Sequence, residues 1–412
     1  MTTKQVDLVA ERPRIPAGRP LAGLRILDLT RVVAGPFATA IFADLGAEVI
    51  KVEAPRTGDD YRYGPSPPGQ TSLSFQNNNR GKRSITLDVR APEGRELLLR
   101  LVDGADALVE NFRAGYLAKC GLGADVLRAR NPRLVVASLS GFGQTGPRAG
   151  EPSYDIVAQA TGGMLSMTGF PDAPPVRAGG ATADFVGGLY LALGVVVALL
   201  ERERSGVARV LDLSNQDCIF AIADSAATIY AGIGAKMERV GNAHPFSSPY
   251  DAFATQDGFV VVGTASNKLF RKLCDGIGQP ELGRDERFKN HRARAANRQE
   301  LTAILATWMR ARSCEQALAT LGPRGADVPC ARVASPDELI DDPQLVARGM
   351  IERHPHPQLG EVVFHGSALR LSGIAPRERA LAPELGEANA EIFGAIGVDA
   401  TQLAALKERG VV

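Results

Sequence analysis

One acidic residue, Asp184, lies among glycine-rich segments that could surround a reacting group. It lies within the segment 179–185 (GGATADF), after the tripeptide Ser153-Tyr154-Asp155 and the segment 161–169 (TGGMLSMTG). Glycine lets a backbone approach a ligand closely and can aim N–H groups at an anion. Asp184 also opens the most apolar stretch of the chain, so residue statistics favour a helix N-cap. The alternative is a catalytic carboxylate.

Other common catalytic motifs do not explain this chain. Neither a GxxxxGK[ST] phosphate loop nor a GxSxG nucleophile elbow occurs in the sequence. His354, His356 and His365 cluster in sequence, but their Pro-rich surroundings predict a solvated hairpin rather than a metal site. The five cysteines are scattered and include no CxxC, which argues against a zinc ribbon and a disulfide framework. We therefore predict no bound metal.

The segments around Asp184 belong to an alternation of strands and helices that is typical of parallel βαβ units. Predicted strands are 24–30, 48–53, 84–88, 107–111, 133–140 and 208–214, and predicted helices are 35–47, 92–105, 124–131, 185–200 and one from about 215. Later segments are two strands in 250–265, helices at 267–278, 297–312, 314–322 and 335–349, and a hairpin within 351–373. The fold class is therefore α/β, doubly wound in the first half, with a smaller α+β unit.

The composition is that of an ordinary globular protein. The 412 residues predict two or three domains, and 45% of them are hydrophobic. The net charge of +1 argues against a nucleic-acid partner. The apolar stretch 185–200 is shorter than the roughly 18–20 residues that span a membrane, so it predicts a buried core helix and no membrane partner. Unpaired cysteines and an N-terminal segment without an apolar core predict a cytoplasmic protein.

Seven blocks of the sequence resemble, in family order, the class III CoA-transferases, which include formyl-CoA transferase and carnitine CoA-transferase, and the related α-methylacyl-CoA racemases. The blocks are 20–53, 77–88 (NNNRGKRSITLD), 105–115 (ADALVENFRAG), 134–147 (LVVASLSGFGQTGP), 154–163 (YDIVAQATGG), 241–258 (GNAHPFSSPYDAFATQDG) and 406–412 (LKERGVV). In that family the nucleophile is an aspartate 30 residues beyond the tyrosine of a Y[DE]xxxQ segment, and from Tyr154 this spacing reaches Asp184. The resemblance favours catalysis over capping.

The resemblance implies a covalent mechanism at Asp184. Its carboxylate attacks an acyl-CoA thioester, and the resulting mixed anhydride is converted by CoA thiolate into an aspartyl-CoA thioester that the acceptor carboxylate opens. Both intermediates are hydrolysable, so we expect glycine-rich loops to exclude water. CoA or acyl-CoA is a substrate here, and no cofactor is bound permanently. Candidate oxyanion donors are the backbone N–H groups near Gly162, Gly163, Gly179 and Gly180.

The resemblance also places the contacts to CoA. Arg90, Arg113 and Lys119 would supply cations for its phosphates, with Lys119 replacing an arginine of the family. The full set of predicted contacts is Leu87, Asp88, Val89, Arg90, Asn111, Phe112, Arg113, Lys119 and Tyr154.

Two features of the basic residues leave alternatives open. Lys82, Arg83 and Arg90 could form only a solvated basic face rather than a phosphate site. Ala54 stands where formyl-CoA transferase has an arginine, and Arg56 follows two residues later. The contact made by that arginine is therefore either lost or supplied by Arg56.

Departures from the family pattern bear on the substrate. Formyl-CoA transferase has a glutamine where this chain has Val33, and its tetraglycine lid has no counterpart near 260–266, so formate and oxalate are disfavoured. Dicarboxylates such as succinate are the expected acceptors. The racemases have a histidine base at the position of Tyr154, and tyrosine is too weak a base at neutral pH to replace it. A racemase that uses Asp184 as a base and a non-catalytic acyl-CoA-binding protein are the alternatives to a transferase.

We predict a soluble CoA-transferase with two domains. A large Rossmann-like, CoA-binding domain is formed by 1–225 plus 340–412, and a small α+β domain by 240–335. The resemblance implies an interlocked homodimer with its active site between domains. The expected partners are acyl-CoA, a small carboxylic acid and a second copy of the chain.

Overall fold

The computed structural model describes residues 18–66, 72–374 and 380–412. Backbone contacts divide the chain into two compact units. The first contains the described parts of Met1–Ala158, Ala181–Ala221 and Gly349–Val412, and the second contains Gln159–Gly180 and Ile222–Arg348. The sequence-based boundaries give 159–180 to the large domain, whereas the contacts group this segment with the second unit.

Six short strands of the first unit form one parallel sheet in the order β3-β2-β1-β4-β5-β6. The predicted α/β class is therefore confirmed. The strands of the described chain are β1 Arg25–Asp28, β2 Glu48–Glu53, β3 Arg83–Thr86, β4 Ala107–Glu110, β5 Val135–Ser140, β6 Val210–Ser214, β7 Tyr250–Ala254, β8 Phe259–Gly263, β9 Cys330–Arg332, β10 Ile351–His356 and β11 Gly360–His365.

Helices alternate with these strands. Pro92 occupies the first turn of its helix, where the N–H that proline lacks would have no helical partner. The helices are α1 Ala34–Asp44, α2 Leu73–Asn79, α3 Pro92–Val102, α4 Tyr116–Lys119, α5 Ala124–Arg130, α6 Asp155–Thr161, α7 Met164–Met167, α8 Thr182–Ser205, α9 Asn215–Ile222, α10 Ala226–Ile233, α11 Asn267–Gly276, α12 His291–Ala296, α13 Arg298–Arg310, α14 Cys314–Leu321, α15 Pro336–Leu339, α16 Pro343–Ala347, α17 Asn389–Ala395 and α18 Ala400–Glu408.

Helices cover both faces of the parallel sheet, so its strands are apolar on both sides. On one face, Leu27 and Ile50 share a core with residues of α3, α5, α17 and α18. On the other face, Ile26 and Val49 share a core with α1 and α8. Neighbouring residues of β1 and β2 therefore enter different cores.

The long helix α8 packs closely on α1. Gly188 is required for this contact, since a Cβ at that position would lie 2.6 Å from the carbonyl oxygen of Ala34. By length and composition alone, α8 is the one helix among the described residues that would suit a membrane, and 44% of its most apolar window is buried. The predicted core helix is thus only partly buried. The exposed residues that we call the α8 stripe are Leu189, Leu193, Val197 and Leu200.

The segment 384–412 returns to the β3 edge of the sheet. The N–H of Ala388 donates to the carbonyl oxygen of Ser84 (2.9 Å), and the N–H of Asp88 donates to the carbonyl oxygen of Val411 (2.8 Å). These bonds satisfy backbone groups that an edge strand would otherwise leave open. They also place the end of this segment beside the loop that follows β3.

The second unit contains a three-stranded antiparallel sheet in the order β7-β8-β9. β7 and β8 are the strand pair predicted within 250–265, whereas β9 has only three residues and no predicted signal. The predicted helix at 335–349 is divided into α15 and α16, because Pro343 can begin a helix but cannot continue one. In the first unit, β10 and β11 form the hairpin predicted within 351–373.

Candidate functional site

Asp184 is not the N-cap that residue statistics favour. The N-cap position of α8 is Ala181. The nearby N–H of Ala183 is bound by a different acid, since it donates to Oδ1 of Asp155 (2.7 Å). Asp184 is the third helical residue, and its Oδ1 accepts a hydrogen bond from Nδ2 of Asn215 (3.1 Å). Its carboxylate is therefore available for a role other than capping.

Asp184 lines a cavity of about 220 Å³, which we call the small cavity. The cavity lies where the loops after β1, β4, β5 and β6 meet, because the carboxyl ends of parallel strands share one edge of a sheet. This edge is the usual position of ligand sites in open α/β sheets. Polar residues of the lining are Arg31, Asp60, Asn111, Arg113, Ser140, Ser153, Tyr154, Asp184 and Asn215.

The surroundings raise the pKa of Asp184 to about 6. Burial is the main cause, the Asp155 carboxylate adds to it, and the hydrogen bond from Asn215 acts in the opposite direction. A carboxylate with this pKa is still largely ionised at pH 7, but water stabilises it less than it would an exposed group. Both properties suit a nucleophile.

A larger cavity of about 800 Å³ lies beside the ends of β1, β2 and β3, and we call it the large cavity. Its volume is typical of small-molecule and cofactor sites. Six of the predicted CoA contacts line it, namely Leu87, Asp88, Val89, Arg90, Phe112 and Arg113. Sequence reasoning missed Arg31, Tyr116, Arg409 and Gly410, which also line it. The one signal for the last two is their place in the family-like block 406–412.

Arg31, Phe112 and Arg113 line both cavities. The ring of Phe112 packs against that of Tyr116, with 4.6 Å between ring centres. The guanidinium carbon of Arg31 lies 5.4 Å from the centre of the Phe112 ring. These residues form a shared wall, so a ligand in the large cavity could extend past them towards Asp184.

The remaining predicted contacts lie outside the large cavity. Asn111 and Tyr154 line the small cavity instead. Lys119 is exposed at the end of α4 and lines neither cavity. The candidate oxyanion glycines belong to the second unit; they are Gly162, Gly163, Gly179 and Gly180.

The arginines of the large cavity differ in their freedom to bind an anion. Arg90 pairs with Asp88 (Nε to Oδ1, 2.9 Å), and its hydrogen bond lowers the pKa of Asp88. Across the described ranges, Arg56 and Arg113 form no ion pair. Arg56 lines the cavity together with Ala54, so it lies where a replacement for the arginine absent at that position would be needed.

Lys82 does not belong to a solvated basic face. Its side chain is fully buried, and its Nζ lies 2.9 Å from Oδ2 of Asp28. Burial alone would raise the pKa of Asp28, but Lys82 and Lys51 outweigh it and lower that pKa to about 2. The solvated-face interpretation is wrong for Lys82 because a charge pattern in sequence does not reveal a partner buried on another strand.

The buried charges hold the loop after β1 in a strained conformation. Val32 has a φ of 69°, which is rare for a β-branched residue. Its N–H donates to Oδ1 of Asp59 (3.0 Å). Nζ of Lys51 donates to Oδ2 of Asp59 and to the carbonyl oxygen of Thr30, at 2.9 Å each. These hydrogen bonds hold the strained loop in place, and the loop positions Arg31 beside both cavities.

A GxGxxG pattern, GFGQTG, occupies 141–146 directly after β5. The next helix, α6, does not begin until Asp155, so the pattern lacks the strand–loop–helix context of a dinucleotide-binding fingerprint. In the part of the chain that the structure describes, no group of three or more His, Cys, Asp or Glu residues is placed to hold a metal.

Comparisons with known proteins complete the description of the site. Residues 21–389 match the family described as CoA-transferase family III. The chain is 38% identical over 397 residues to the succinyl-CoA–D-citramalate CoA-transferase of Chloroflexus aurantiacus, over 96% of this chain and 98% of that protein. It is 40% identical over 383 residues to the acetyl-CoA:oxalate CoA-transferase of Acetobacter aceti, over 92% and 96% of the two chains. Among solved structures, a CAIB/BAIF family protein from Brucella suis matches with a TM-score of 0.81 and 38% identity, over 92% of this chain and 100% of that chain.

Proposed function

The chain belongs to CoA-transferase family III and is a CoA-transferase, and from that premise we propose that Asp184 is the nucleophile through which it moves CoA from an acyl-CoA thioester to a carboxylic acid. The observation that carries this proposal is the position of Asp184. Its carboxylate lines the small cavity, and the shared wall separates it from a larger cavity lined by six predicted CoA contacts.

The proposed reaction starts at Oδ2 of Asp184, the oxygen that Asn215 does not hold. Oδ2 attacks the thioester carbonyl carbon, the C–S bond breaks, and CoA leaves as thiolate from a mixed anhydride. The thiolate then attacks Cγ of Asp184, the donor carboxylate leaves, and an aspartyl-CoA thioester remains. The acceptor carboxylate runs these two steps in reverse, which restores the free Asp184 carboxylate with no net change in protons.

CoA is proposed to bind in the large cavity. Arg56 and Arg113 line it without ion-pair partners in the described chain, so they are available to phosphates. The shared wall of Arg31, Phe112 and Arg113 would guide the pantetheine arm towards Asp184. A cavity of about 800 Å³ is large enough for a substantial part of such a ligand.

The proposed acceptor is a dicarboxylate. The two relatives are named for D-citramalate and oxalate, both dicarboxylic acids. Arg31 and Arg113 line the small cavity and could bind the carboxylate that does not react. Val33 argues against oxalate from sequence, but the name of the Acetobacter relative keeps oxalate in the panel of acceptors to be tested.

The finer architecture is also a proposal. The strand order 3-2-1-4-5-6 supports a Rossmann-like description of the first unit. The exposed α8 stripe supports a homodimer, because folded monomers rarely leave a row of large apolar side chains in water.

The test compares Asp184→Asn with the wild type and with Asp217→Asn, a control at an exposed acid in the first turn of α9. Asparagine preserves shape but removes the nucleophile, so transfer from succinyl-CoA should fall by several orders of magnitude, whereas the control should keep its rate. Mass spectrometry of quenched wild type should find a CoA adduct on the peptide that contains Asp184, and hydroxylamine should trap it.

Folding is checked in the same samples. Because burial raises the pKa of Asp184, the folded state favours its neutral form, and asparagine should leave the free energy of unfolding at pH 7 unchanged or raise it by at most about 3 kcal/mol. A folded Asp184→Asn enzyme that still transfers CoA would contradict the proposal. Solvent deuterium entering the α-carbon of the acyl group, without carboxylate exchange, would indicate a racemase instead.

A further inference from the structure

Asn215 makes an unusual set of contacts beside Asp184. It is the first residue of α9 and lines the small cavity, and the residue is only 8% exposed. Its Nδ2 donates to Oδ1 of Asp184 (3.1 Å), while its own Oδ1 is buried and finds no partner among the described residues. A buried polar atom without a partner costs about 1–3 kcal/mol.

The neighbouring helix α8 has a glycine at the position where a side chain would collide with this amide. Gly187 lies in α8 one turn after Asp184, and a Cβ on Gly187 would lie 2.1 Å from Oδ1 of Asn215. Glycine inside a helix costs about 1 kcal/mol relative to alanine. Two destabilising features, an unpaired amide oxygen and a helical glycine, therefore meet next to the nucleophile. This coincidence indicates a role in the reaction rather than in stability.

Other polar groups near Asp184 do not hold its carboxylate. Asp155 binds the N–H of Ala183, and the Arg31 guanidinium is directed to Asp60 (3.6 Å). Arg113 lines the small cavity but forms no hydrogen bond with Asp184. Within the described chain, Asn215 is the one residue whose side chain donates a hydrogen bond to Asp184.

We propose, on the basis of the nucleophile proposed above, that Asn215 is a catalytic oxyanion donor for the steps that take place at Cγ of Asp184. When CoA thiolate attacks Cγ of the anhydride, the electron pair of the Cγ–Oδ1 double bond moves onto Oδ1. Nδ2 of Asn215 already donates to that oxygen, so the donor needs no rearrangement as the charge develops. When the intermediate collapses, the double bond re-forms and the bond from Cγ to the donor carboxylate breaks.

The proposal assigns Asn215 to one half of the chemistry. Attack of Oδ2 on the thioester places the developing charge on the carbonyl oxygen of the acyl group, which Asn215 does not hold. Steps at Cγ place it on Oδ1, which Asn215 does hold. Loss of the amide should therefore slow formation and opening of the aspartyl-CoA thioester most strongly.

The experiment follows the CoA adduct on Asp184 in single turnovers with succinyl-CoA and no acceptor. In Asn215→Leu, adduct formation should be about 10²- to 10³-fold slower, the magnitude typical of losing one oxyanion donor. The KM for acyl-CoA should stay within about twofold, because Asn215 does not line the large cavity. The acid limb of the pH–rate profile should move to higher pH, because the bond that opposes the raised pKa of Asp184 is lost. Asp217→Asn is again the matched control.

A second variant leaves Asn215 in place. Gly187→Ala should displace the amide by steric contact and slow adduct formation in the same way. Asn215→Ala replaces the leucine variant if that variant does not fold. Wild-type adduct formation and an unmoved acid limb in a folded Asn215 variant would overturn this inference and leave the role of Asp184 intact. Absence of the adduct from wild type would instead contradict the proposed function.

Discussion

Asp155 and Asp184 divide two roles at the start of α8. Asp155 binds a free N–H of the first helical turn, which leaves Asp184 without a capping role although it lies in the same turn. Burial and the nearby Asp155 charge then raise the pKa of Asp184 to about 6. One carboxylate thus binds the first turn of the helix, and its charge also raises the pKa of the second.

The pKa of Asp184 predicts the acid limb of the reaction. Only the carboxylate attacks a thioester, so kcat should fall about tenfold per pH unit below about pH 6, and a rate at pH 5 should be roughly a tenth of the plateau. Steady-state rates between pH 4.5 and 8, with circular dichroism at each pH as a folding control, test this expectation. A plateau that extends down to about pH 4 would mean that Asp184 titrates like an exposed aspartate.

At the scale of elements, the cations proposed to bind CoA lie in loops rather than on a basic helix. Arg113 lies in the β4–α4 loop and Arg56 in the loop after β2, and both line the large cavity. Arg90 lines it as well but is bound to Asp88, and Lys119 lies outside it. Arg113 and Arg56 are therefore the most available to a phosphate, Arg90 is less available, and Lys119 is the least.

Alanine variants test this ranking. Arg113→Ala and Arg56→Ala should each raise the KM for acyl-CoA about 10- to 150-fold, since a charge-assisted bond contributes roughly 1.5–3 kcal/mol. Arg90→Ala should have a smaller effect. Arg56→Ala should leave the KM for the carboxylate nearly unchanged, because Arg56 lines the large cavity and not the small one. Lys119→Ala is the discriminating variant, because the family resemblance predicts a contact there and the cavity lining does not include it. An unchanged KM in Arg113→Ala would show that CoA binds elsewhere.

The sequence predicts elements well where a local pattern determines them. It fails where a residue that is distant in sequence determines the structure. β2 matches its predicted bounds, 48–53, because the β-branched residues Val49, Ile50 and Val52 form a short segment of high strand propensity directly after a helix. Lys82 is misread because Asp28 lies on another strand. Gly410 is missed because it reaches the large cavity from a segment more than 300 residues after β3, and membership of the block 406–412 does not say where that segment packs.

At the scale of the whole molecule, the α8 stripe predicts how the chain assembles. Leu189, Leu193, Val197 and Leu200 lie on one face of α8, and Leu193 is 60% exposed. Leu193→Lys should convert the proposed dimer to a monomer, or weaken it strongly, because a charge would have to be buried in an apolar contact. Sedimentation velocity measures the change. Val126→Lys, at an exposed apolar residue of α5, is the matched control. A wild type that is monomeric at micromolar concentration would contradict the proposed homodimer.

Because the segment 384–412 packs on the sheet edge, the first unit can be completed only after that segment has been synthesised. Thr86, at the end of β3, bonds to Asn389, which is 303 residues later in the chain. A ribosome that adds about 5–20 residues per second needs roughly 15–60 s to cover that distance. Throughout this interval the nascent chain carries an open strand edge and lacks Arg409 and Gly410, which line the large cavity. Its yield in a cell should therefore depend on holding chaperones and on translation speed, neither of which the finished enzyme requires.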